Sequence, residues 1–235
     1  MHQVEAKGIL SAQNGMNIYR GCTHGCIYCD ARSTCYQMKH PFEDIEVKKN
    51  APELLEKALR SKRKKCMIGT GAMSDPYLHY EEELKLTRRC LELIDAYGFA
   101  EVLNILRDEG IPTIVWMTPI LPFINDTKEN ITGLLNICRE AKVYGVLSFG
   151  IGLTLRDGDR QYYYKQLDRY FPGMKERYIH AYGNAYELPS PNHTYLWKLL
   201  KSECKAAGIV CDAEQLFAYM REYEDKTAGE QLSLF

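Results

Sequence analysis

The sequence has almost no net charge, no long apolar run and no export signal. Thirty basic side chains against thirty-one acidic ones leave a net charge of −1, so a nucleic-acid partner has to be met by a local patch. The most apolar stretch, 111–124, contains three prolines and is shorter than the ~20 residues that span a bilayer. No positively charged segment followed by an apolar one opens the chain, so we expect neither a secretory signal nor membrane insertion.

The composition is that of a folded chain in a reducing compartment. Of the 235 residues, 46% are hydrophobic and 26% are charged, a balance that excludes a disordered, collagen-like or low-complexity protein. This length fits one domain, alone or with a small appendage. Nine cysteines without an export signal indicate thiols or metal ligands, and we expect a cytoplasmic location.

The hydrophobic pattern alternates between strands and helices, which predicts an α/β fold with a mostly parallel sheet. The expected helices are Ala51–Arg60, Glu81–Tyr97 and Glu129–Tyr144 (capped by Asp126), and the expected strands are Met16–Tyr19, Lys65–Ile68, Thr113–Met117 and Gly145–Ile151. One junction breaks the alternation, because Glu101–Glu109 again has a helical pattern and no strand fits between Gly98 and Glu101. From Asp157 onward the pattern is helical and rich in tyrosine.

Three cysteines lie close together in a polar loop that follows the first apolar run. Cys22, Cys26 and Cys29 form a C-x3-C-x2-C sequence. Three thiolates on a cluster of four irons leave one iron without a protein ligand, and that iron can bind a small molecule. The alternative is a zinc site with Cys35 or His24 as fourth ligand, although zinc usually takes two separated ligand pairs. The spacing therefore favours an iron–sulfur cluster.

The sequence around these cysteines is specific enough to compare with a known family. Residues 19–30 read YRGCTHGCIYCD, and Arg32, Cys35 and Tyr36 follow. Further segments are 69–77 (GTGAMSDPY), 119–126 (PILPFIND) and 148–156 (SFGIGLTLR). Together they resemble the radical S-adenosylmethionine (SAM) enzymes, and more narrowly the spore photoproduct lyase-like branch, over nearly the whole chain.

The resemblance implies a [4Fe–4S] cluster held by Cys22, Cys26 and Cys29, with SAM chelated by the fourth iron. An electron from the cluster would cleave SAM into methionine and a 5′-deoxyadenosyl radical. The protein would position SAM, exclude water and tune the reduction potential of the cluster. It also implies an electron donor such as flavodoxin or ferredoxin as a partner.

Several further positions are expected to bind SAM. The loop that contains Ser74 and Asp75 follows a strand directly, and ligands of open α/β sheets lie beyond the carboxyl ends of strands. Either side chain can accept a hydrogen bond from the SAM ammonium group, whereas the competing interpretation is a tight turn in which Asp75 caps the next helix. The predicted cofactor-binding residues are Tyr28, Gly69, Gly71, Ser74, Asp75, Thr118, Pro119 and Ser148, the last with its neighbour Gly150.

The broken alternation falls where the family carries two more βα units. At ~30 residues per unit, roughly sixty residues are missing, which leaves a partial (β/α) barrel of about four strands with an opened side. We therefore expect a truncated radical SAM core over 1–156 with an internal deletion near 98–101. A helical, tyrosine-rich extension over 157–224 and a flexible tail over 225–235 complete the expected organisation.

The features that would contact a substrate are weaker. The basic run 60–65 suits either a solvated helix end or a phosphate-contacting patch. Late tyrosines can stack on exposed bases, although helical spacing explains the same pattern as core packing. They are interleaved with Arg156, Arg160, Arg169 and Arg177. The family resemblance implies a nucleobase presented outside the duplex stack, and Cys35 is our candidate hydrogen-atom donor.

The last five residues resemble the peptide by which bacterial DNA repair and replication proteins dock on the polymerase sliding clamp. They are Gln231, Leu232, Ser233, Leu234 and Phe235. Their apolar side chains can fill a pocket while the Gln231 amide fixes the register, or they can instead fold back onto the parent domain.

These patterns predict a radical SAM iron–sulfur enzyme with lyase-like chemistry on nucleic acid, DNA repair being the best match. The alternative is a catalytically inactive iron–sulfur protein, or a clamp-tethered binding protein, left after loss of the middle strands. A radical SAM enzyme that acts on RNA or a small molecule is the third candidate.

Overall fold

A computed structural model describes residues 1–63, 66–71, 73–97, 100–101 and 112–221. The chain forms two compact units. Of the described residues, the N-terminal unit takes 2–20, those within 46–101, and 218–221, whereas the cysteine unit takes residue 1, 21–45 and 112–217. The fold is mixed α/β with small, mostly parallel sheets, and the described strands form no closed barrel.

The N-terminal unit contains two three-stranded sheets and three helices. Its strands are β1 (His2–Val4), β2 (Gly15–Met16), β3 (Tyr19–Arg20), β4 (Glu46–Lys48), β5 (Met67–Thr70) and β6 (Ala100–Glu101), and its helices are α1 (Ala51–Ser61), α2 (Glu81–Leu84) and α3 (Leu86–Ala96). In one sheet β4 lies between β1, to which it is parallel, and β3, to which it is antiparallel. In the other sheet β5 lies between β2 and β6 and is parallel to both.

Helix α1 forms where the sequence predicts it and positions α3. Ala51, Leu55 and Leu59 are buried at helical spacing, and Pro52 occupies the first turn, where its missing N–H has no partner to lose. Helix α1 packs against α3, and Arg89 forms an ion pair with Glu53 at 3.2 Å. Apolar burial on one face of α1 therefore joins the two helices.

The single helix expected over Glu81–Tyr97 is two helices in the structure. Lys85, between α2 and α3, has a left-handed φ of +51°. The Glu81 carboxylate accepts hydrogen bonds from the Tyr19 hydroxyl and from the backbone N–H of Arg88, the latter at 3.1 Å. A side chain thus satisfies an N–H group at the start of α3 that has no intrahelical acceptor.

The chain between α3 and the next strand also differs from the expectation. Strand β6 is parallel to β5, so the prediction that no strand precedes the segment Glu101–Glu109 is wrong. A strand of two residues is too short to be recognised in the sequence when the adjacent segment has a helical pattern. Beyond Glu101, the helix expected over that segment lies outside the described residues.

The cysteine unit contains two pairs of strands and most of the helices. Its elements are two 3-10 turns (Asp30–Arg32 and Thr34–Tyr36), β7 (Ile114–Trp116), α4 (Lys128–Glu140), β8 (Gly145–Leu147), β9 (Gly152–Thr154), α5 (Asp159–Tyr170), α6 (Met174–Tyr182), β10 (Glu187–Pro189), α7 (His193–Ala207) and α8 (Ala213–Arg221, of which 213–217 belong to this unit). Strands β7 and β8 are parallel, whereas β9 and β10 are antiparallel.

Two apolar clusters support this unit. In the first, α4 packs against α7 through Ile131, Leu135, Cys138, Leu196, Leu200 and Cys204. The second contains the buried rings of Tyr163 and Tyr178 together with leucines of β9, α5 and β10. Tyr163 donates its hydroxyl to Tyr178 at 3.0 Å, and Tyr178 donates to the Pro122 carbonyl at 2.6 Å, so both buried phenols are satisfied.

Several boundaries in this unit correct the sequence-based expectations. Helix α4 is capped by Thr127, whose side chain accepts from Asn130 N–H at 3.1 Å, and not by Asp126. The region after Asp157 is not wholly helical, because it contains β10. The largest sheets of the described chain have three strands rather than the four expected.

None of the described helices has the length and apolar character required to span a bilayer.

Candidate functional site

The three clustered cysteines lie in the segment that leaves β3 and returns at β4. This segment begins at Gly21, whose φ is +92°. A Cβ added there would lie 2.4 Å from the carbonyl oxygen of Phe42, and Cys22 donates its backbone N–H to the same oxygen at 3.1 Å. Glycine is therefore required at the start of the loop, because any side chain would push the loop away from Phe42.

The three thiols are free and differ in their exposure to solvent. Cys22 is buried, Cys29 is half-buried and Cys26 is exposed, and none of them forms a disulfide. Burial raises the pKa of the Cys29 thiol, and the charges of Cys26 and Cys22 raise this pKa further. Tyr28 adds its hydroxyl to the group, since burial and then Cys26, to which it is hydrogen-bonded, raise the pKa of the phenol.

The three thiols do not form a group tight enough for a single metal ion in the described structure. Two sulfurs on one zinc lie at most about 4.6 Å apart, because each Zn–S bond is about 2.3 Å long. The Sγ atoms of Cys22, Cys26 and Cys29 do not all lie within 4.8 Å of one another, and neither His24 nor Cys35 completes such a group with two of them. A cluster of four irons binds each thiolate at a different metal and so accepts wider spacing.

Arg32 follows the last of the three cysteines and is enclosed by aromatic rings. Its Cζ atom lies 4.2 Å from the ring centroid of Phe42 and 3.8 Å from that of Tyr162 on α5. Glu43 accepts from its Nη1 at 2.7 Å, and the arginine side chain is only 8% exposed. The guanidinium lowers the pKa of the Cys29 thiol, opposing the larger effect of burial.

A second arginine ties the turns after the cysteines to the end of β9. Arg156 contacts Asp30 Oδ2 at 3.1 Å, and its Nη2 donates to the Tyr186 hydroxyl at 3.2 Å. Its Nη1 also lies 3.6 Å from Cys35 Sγ and 3.4 Å from the Tyr36 hydroxyl, which itself donates to Asp30 at 3.1 Å. The candidate hydrogen donor Cys35 is exposed and lies within this network.

The turn at Asp157–Gly158 provides the remaining contacts to the loop. Thr34 donates its backbone N–H to the Asp157 carbonyl at 2.9 Å and its hydroxyl to the Asp157 carboxylate at 3.1 Å. Hydrogen bonds from Gln161 and then Thr34 lower the pKa of Asp157. A Cβ added at Gly158 would lie 2.9 Å from both the Arg32 carbonyl oxygen and the Thr34 nitrogen. The turn at Asp157–Gly158 thus fixes the part of the cysteine loop that contains Arg32 and Thr34.

This junction also holds buried polar atoms without a partner in the described structure. They are Asp30 Oδ1, Arg32 Nε and both carboxylate oxygens of Asp159. Asp159 is 1% exposed, and burial followed by the nearby charge of Asp30 raises its pKa to about 6. Sequence reasoning missed Asp159, because nothing in the pattern of α5 marks its first turn as a neighbour of the cysteines.

The predicted glycine-rich loop lies in the N-terminal unit. Gly71 has a φ of +88°, and Ser74 donates its hydroxyl to the Tyr19 carbonyl at 3.0 Å. The Asp75 carboxylate accepts from Tyr77 N–H at 2.8 Å, so it forms a local turn and does not cap α2. Asn17, which sequence reasoning did not single out, accepts from Met73 N–H at 3.1 Å and holds the loop against β2 and β3.

The remaining predicted SAM-binding residues meet at one edge of the β7–β8 pair. Thr118 and Pro119 follow β7, and Ser148 follows β8. Because the two strands are parallel, these positions share the carboxyl edge. Ser148 is buried and donates its hydroxyl to the Gly150 carbonyl at 3.1 Å.

Exposed aromatic rings at this same edge were missed by the sequence analysis. Trp116 is 52% exposed and Phe149 is 64% exposed. Their ring centroids lie 5.9 Å apart, and Phe149 stacks on Phe217 at 6.3 Å with an interplanar angle of 23°. A tryptophan at the end of a strand can be exposed or buried in the core, and the sequence does not distinguish the two cases.

Some of the predicted base-stacking residues have structural roles. Tyr163 and Tyr178 are buried, which favours the core-packing alternative for these two rings. Arg160 donates to the carbonyl oxygens of Leu155 and Ala185 at 2.8 and 2.5 Å and so fastens α5 to the chain before β10. Of the late arginines, Arg169 lies over the exposed ring of Tyr170, at 5.1 Å from the centroid.

The basic run and the clamp-like peptide are described only in part or not at all. Arg60 contacts Glu56 and the Tyr97 hydroxyl, and Lys62 donates to Asn14 Oδ1 at 2.6 Å, contacts that suit a solvated helix end. Residues 64 and 65 and the terminal residues 231–235 lie outside the described part of the chain.

Comparison with known proteins finds relatives without an assigned function. An uncharacterized protein of Methanocaldococcus jannaschii is 34% identical over 106 residues, which span 43% of this chain and 39% of that relative. Uncharacterized proteins of Mycobacterium bovis and Mycobacterium tuberculosis are 26% identical over 251 residues, which span 80% of this chain and 73% of each relative. No family model matches the chain, and no solved structure matches it.

The mycobacterial match shows that this chain is shorter than its relatives within the aligned region. The alignment extends over 251 positions, whereas 80% of a 235-residue chain is about 188 residues. About 63 aligned positions therefore carry a residue in the relatives and none in this chain. That number is close to the roughly sixty residues expected for two βα units.

Proposed function

We propose that the chain is a radical SAM iron–sulfur enzyme of the spore photoproduct lyase-like type, on a truncated partial (β/α) barrel, and that it acts on nucleic acid. The carrying observation is the C-x3-C-x2-C loop, whose three thiols form no disulfide and whose segment is fixed by backbone hydrogen bonds to Phe42 and Asp157. The nine cysteines suit a reducing cytoplasm, which we propose as its location.

In this proposal Cys22, Cys26 and Cys29 hold a [4Fe–4S] cluster. When bound, this group supplies one electron, received from a donor such as flavodoxin or ferredoxin, for the reductive cleavage of SAM. Tyr28 orients its ring beside the thiols through its hydrogen bond to Cys26. The burial of Cys22 keeps water from its side of the loop, and the backbone hydrogen bonds of Cys22 and Thr34 fix the loop in place.

We assign SAM binding to residues that follow strands. The Ser74 hydroxyl gives its hydrogen to Tyr19, so its oxygen keeps lone pairs that can accept from an ammonium group. Gly71 lets the backbone approach a ligand closely. The proposed set is Tyr28, Gly69, Gly71, Ser74, Asp75, Thr118, Pro119 and Ser148.

Nucleic acid is the substrate class that the exposed rings favour. Trp116 and Phe149 lie beside the positions of Thr118 and Ser148, at the edge of the sheet where ligands bind in parallel α/β folds. Flat, exposed rings can stack on an unpaired base without reading its identity. We propose that this pair of rings, rather than the late tyrosines, holds the base.

The terminal peptide suggests a second partner. We propose that residues 231–235 bind the DNA sliding clamp, as their sequence resembles clamp-binding peptides. Deletion of the five residues should abolish co-purification with the clamp while leaving iron content unchanged. Clamp binding that survives the deletion would contradict this proposal.

The central test is anaerobic reconstitution of the full chain with iron and sulfide, followed by reduction with and without SAM. We expect about four irons per chain, an electron paramagnetic resonance signal that changes when SAM is added, and formation of 5′-deoxyadenosine. Cys29→Ser should lose the iron and the signal, whereas the matched variant Cys66→Ser, at a half-buried thiol outside the loop, should keep both. Stoichiometric zinc without sulfide would refute the proposal.

The missing positions favour one alternative function. A chain that lacks about 63 positions present in its relatives can retain the cluster loop and still lack residues that contact SAM or substrate. A catalytically inactive iron–sulfur or clamp-tethered binding protein then remains. An intact cluster without 5′-deoxyadenosine formation would establish that alternative.

A further inference from the structure

We propose that Arg32 sets the reduction potential of the proposed cluster, by presenting a buried positive charge and a hydrogen-bond donor to the loop that holds it. This inference rests on the proposed function, because it concerns the group that Cys22, Cys26 and Cys29 would bind. Arg32 does not coordinate the group itself, so it acts as a positioning and tuning residue.

The first argument is the rigidity of the side chain. The guanidinium lies between the rings of Phe42 and Tyr162, whose centroids are 4.2 and 3.8 Å from Cζ. Its backbone N–H donates to the Cys29 carbonyl at 3.2 Å, in the turn that starts right after that cysteine. Two rings and a backbone bond therefore keep the charge at a fixed place relative to a cluster ligand.

The second argument is the unused donor. The Nη1 group is committed to Glu43, whereas Nε is buried and has no hydrogen-bond partner in the described structure. A buried N–H donor without an acceptor is costly, and native proteins keep such groups rarely. A thiolate or cluster sulfur would supply the acceptor that this donor lacks.

The third argument is the local balance of charge. Arg32 is 8% exposed, whereas its partner Glu43 is 55% exposed, so solvent screens the carboxylate more than the guanidinium. The adjacent carboxylate Asp30 is paired with Arg156 at 3.1 Å. The positive charge of Arg32 is therefore only partly offset.

The charge and the N–H donor of Arg32 affect the reduction potential of the proposed cluster. Reduction adds one negative charge to an iron–sulfur cluster, and hydrogen bonds and charges around its sulfurs set the potential at which this occurs. A buried cation with a free N–H donor favours the reduced form. Arg32 should therefore make the cluster easier to reduce than the same loop without this guanidinium.

The experiment measures the midpoint potential of the reconstituted full chain by a dye-mediated titration followed by electron paramagnetic resonance. Arg32→Gln should shift the potential to a more negative value with iron and sulfide content retained. Arg32→Lys keeps the charge and should shift it less, although it loses the planar group between the rings. Arg169→Gln, at an arginine that also lies over an aromatic ring but is exposed, should leave the potential unchanged.

The outcomes separate this inference from the proposed function. An Arg32→Gln potential equal to that of the wild type, or equal shifts in Arg32→Gln and Arg32→Lys, overturns the inference and leaves the proposed function standing. Loss of iron in Arg32→Gln with retention in Arg32→Lys supports a role of the charge, whereas loss in both variants overturns it. A wild-type chain that takes up no iron and sulfide overturns both.

Discussion

Gly158 lies at the start of α5, where the chain packs against the cysteine loop. It combines a φ of +93° with a Cβ position 2.9 Å from backbone atoms of Arg32 and Thr34. Gly158→Ala should therefore lower the free energy of unfolding by about 1–3 kcal/mol, through backbone strain and steric overlap together. Chemical denaturation measures this loss.

Gly173→Ala is the matched control for that substitution. Gly173 has a similar φ of +81°, but a Cβ there meets nothing within 4 Å. It should lose only the strain contribution, about 1 kcal/mol. Equal losses in the two variants would show that the contact between Gly158 and the loop carries no energy.

Asp159 makes stability depend on pH in a predictable direction. Burial and then Asp30 raise its pKa to about 6, above the value of ~3.9 in an unfolded chain. Between these values the folded state binds more protons than the unfolded state, so stability falls as the pH rises. Relative to Asp159→Asn, the wild type should gain roughly 1–3 kcal/mol in the free energy of unfolding between pH 7.5 and pH 4.5.

Denaturation of both proteins across this pH range provides the measurement. The difference in the free energy of unfolding between the two proteins removes the contribution of the other carboxylates, because these titrate in both. A difference that stays constant with pH would contradict the raised pKa.

At the residue scale, the sequence shows that the three cysteines share one loop but does not show which residues surround that loop. The C-x3-C-x2-C spacing is local and can be read directly. The bonds that fix the loop join Thr34 to Asp157 and Asp30 to Arg156, pairs more than a hundred residues apart in the chain. Such contacts depend on how β9 and α5 pack against the loop. This packing cannot be inferred from a local sequence pattern.

At the scale of elements, the first turn of α4 offers a direct test of which residue caps it. Thr127 accepts from Asn130 N–H, so Thr127→Ala should lower the free energy of unfolding by about 1 kcal/mol. Thr132→Ala in the same helix should be neutral or stabilising, because the Thr132 hydroxyl is buried without a hydrogen-bond partner. Thermal or chemical denaturation of the two variants should give these different results.

An unchanged stability of Thr127→Ala would contradict the assignment of Thr127 as the cap, for which the sequence suggested Asp126. Asp126 and Thr127 are adjacent, and both residue types favour the cap position, so the sequence alone did not separate them. In the structure Asp126 is buried and accepts instead from the Ser190 hydroxyl. Because Asp126 binds Ser190, which is distant in the sequence, it does not cap α4.

Other elements show the same division between local and distant signals. The helix at 51–61 was predicted within one residue, because burial every three to four positions is a local property. Strands β9 and β10 have three residues each and pair across more than thirty residues of chain, so they were missed. The break at Lys85 also depends on a side chain, Glu81, that takes over the capping of α3.

At the scale of the whole molecule, the exposed rings make the proposed interaction with nucleic acid testable. Trp116→Ala and Phe149→Ala should each weaken binding of a single-stranded oligonucleotide by about 1–3 kcal/mol, the contribution of one base stacked on one ring. Fluorescence anisotropy at fixed salt provides the measurement. Tyr195→Ala, at a ring of α7 that is 55% exposed, serves as control and should bind as the wild type does.

Unchanged affinity in both ring variants would remove the sheet edge from the proposed substrate site. Loss of affinity in all three variants would indicate general adhesion to exposed aromatic residues.

The overall organisation was predicted only coarsely. The alternation of apolar segments indicated a mixed α/β chain with mostly parallel pairing, and the structure confirms both. The division into two units and several small sheets was not predicted, because each strand has only two to four residues. The position of the shortfall relative to the mycobacterial proteins is not given by the match, so the internal deletion near 98–101 stays a prediction.

The pairing of β3 with β4 has a consequence for the order of assembly. Arg20 and Glu46 are partners across these strands, so the 25 residues 21–45 leave and re-enter the sheet at opposite points of one ladder. Backbone pairing in the N-terminal unit therefore bears the entropy of closing this loop, without a bound cofactor. The sheet can thus form before any group is bound in the loop, and the ends of the loop are then already held together.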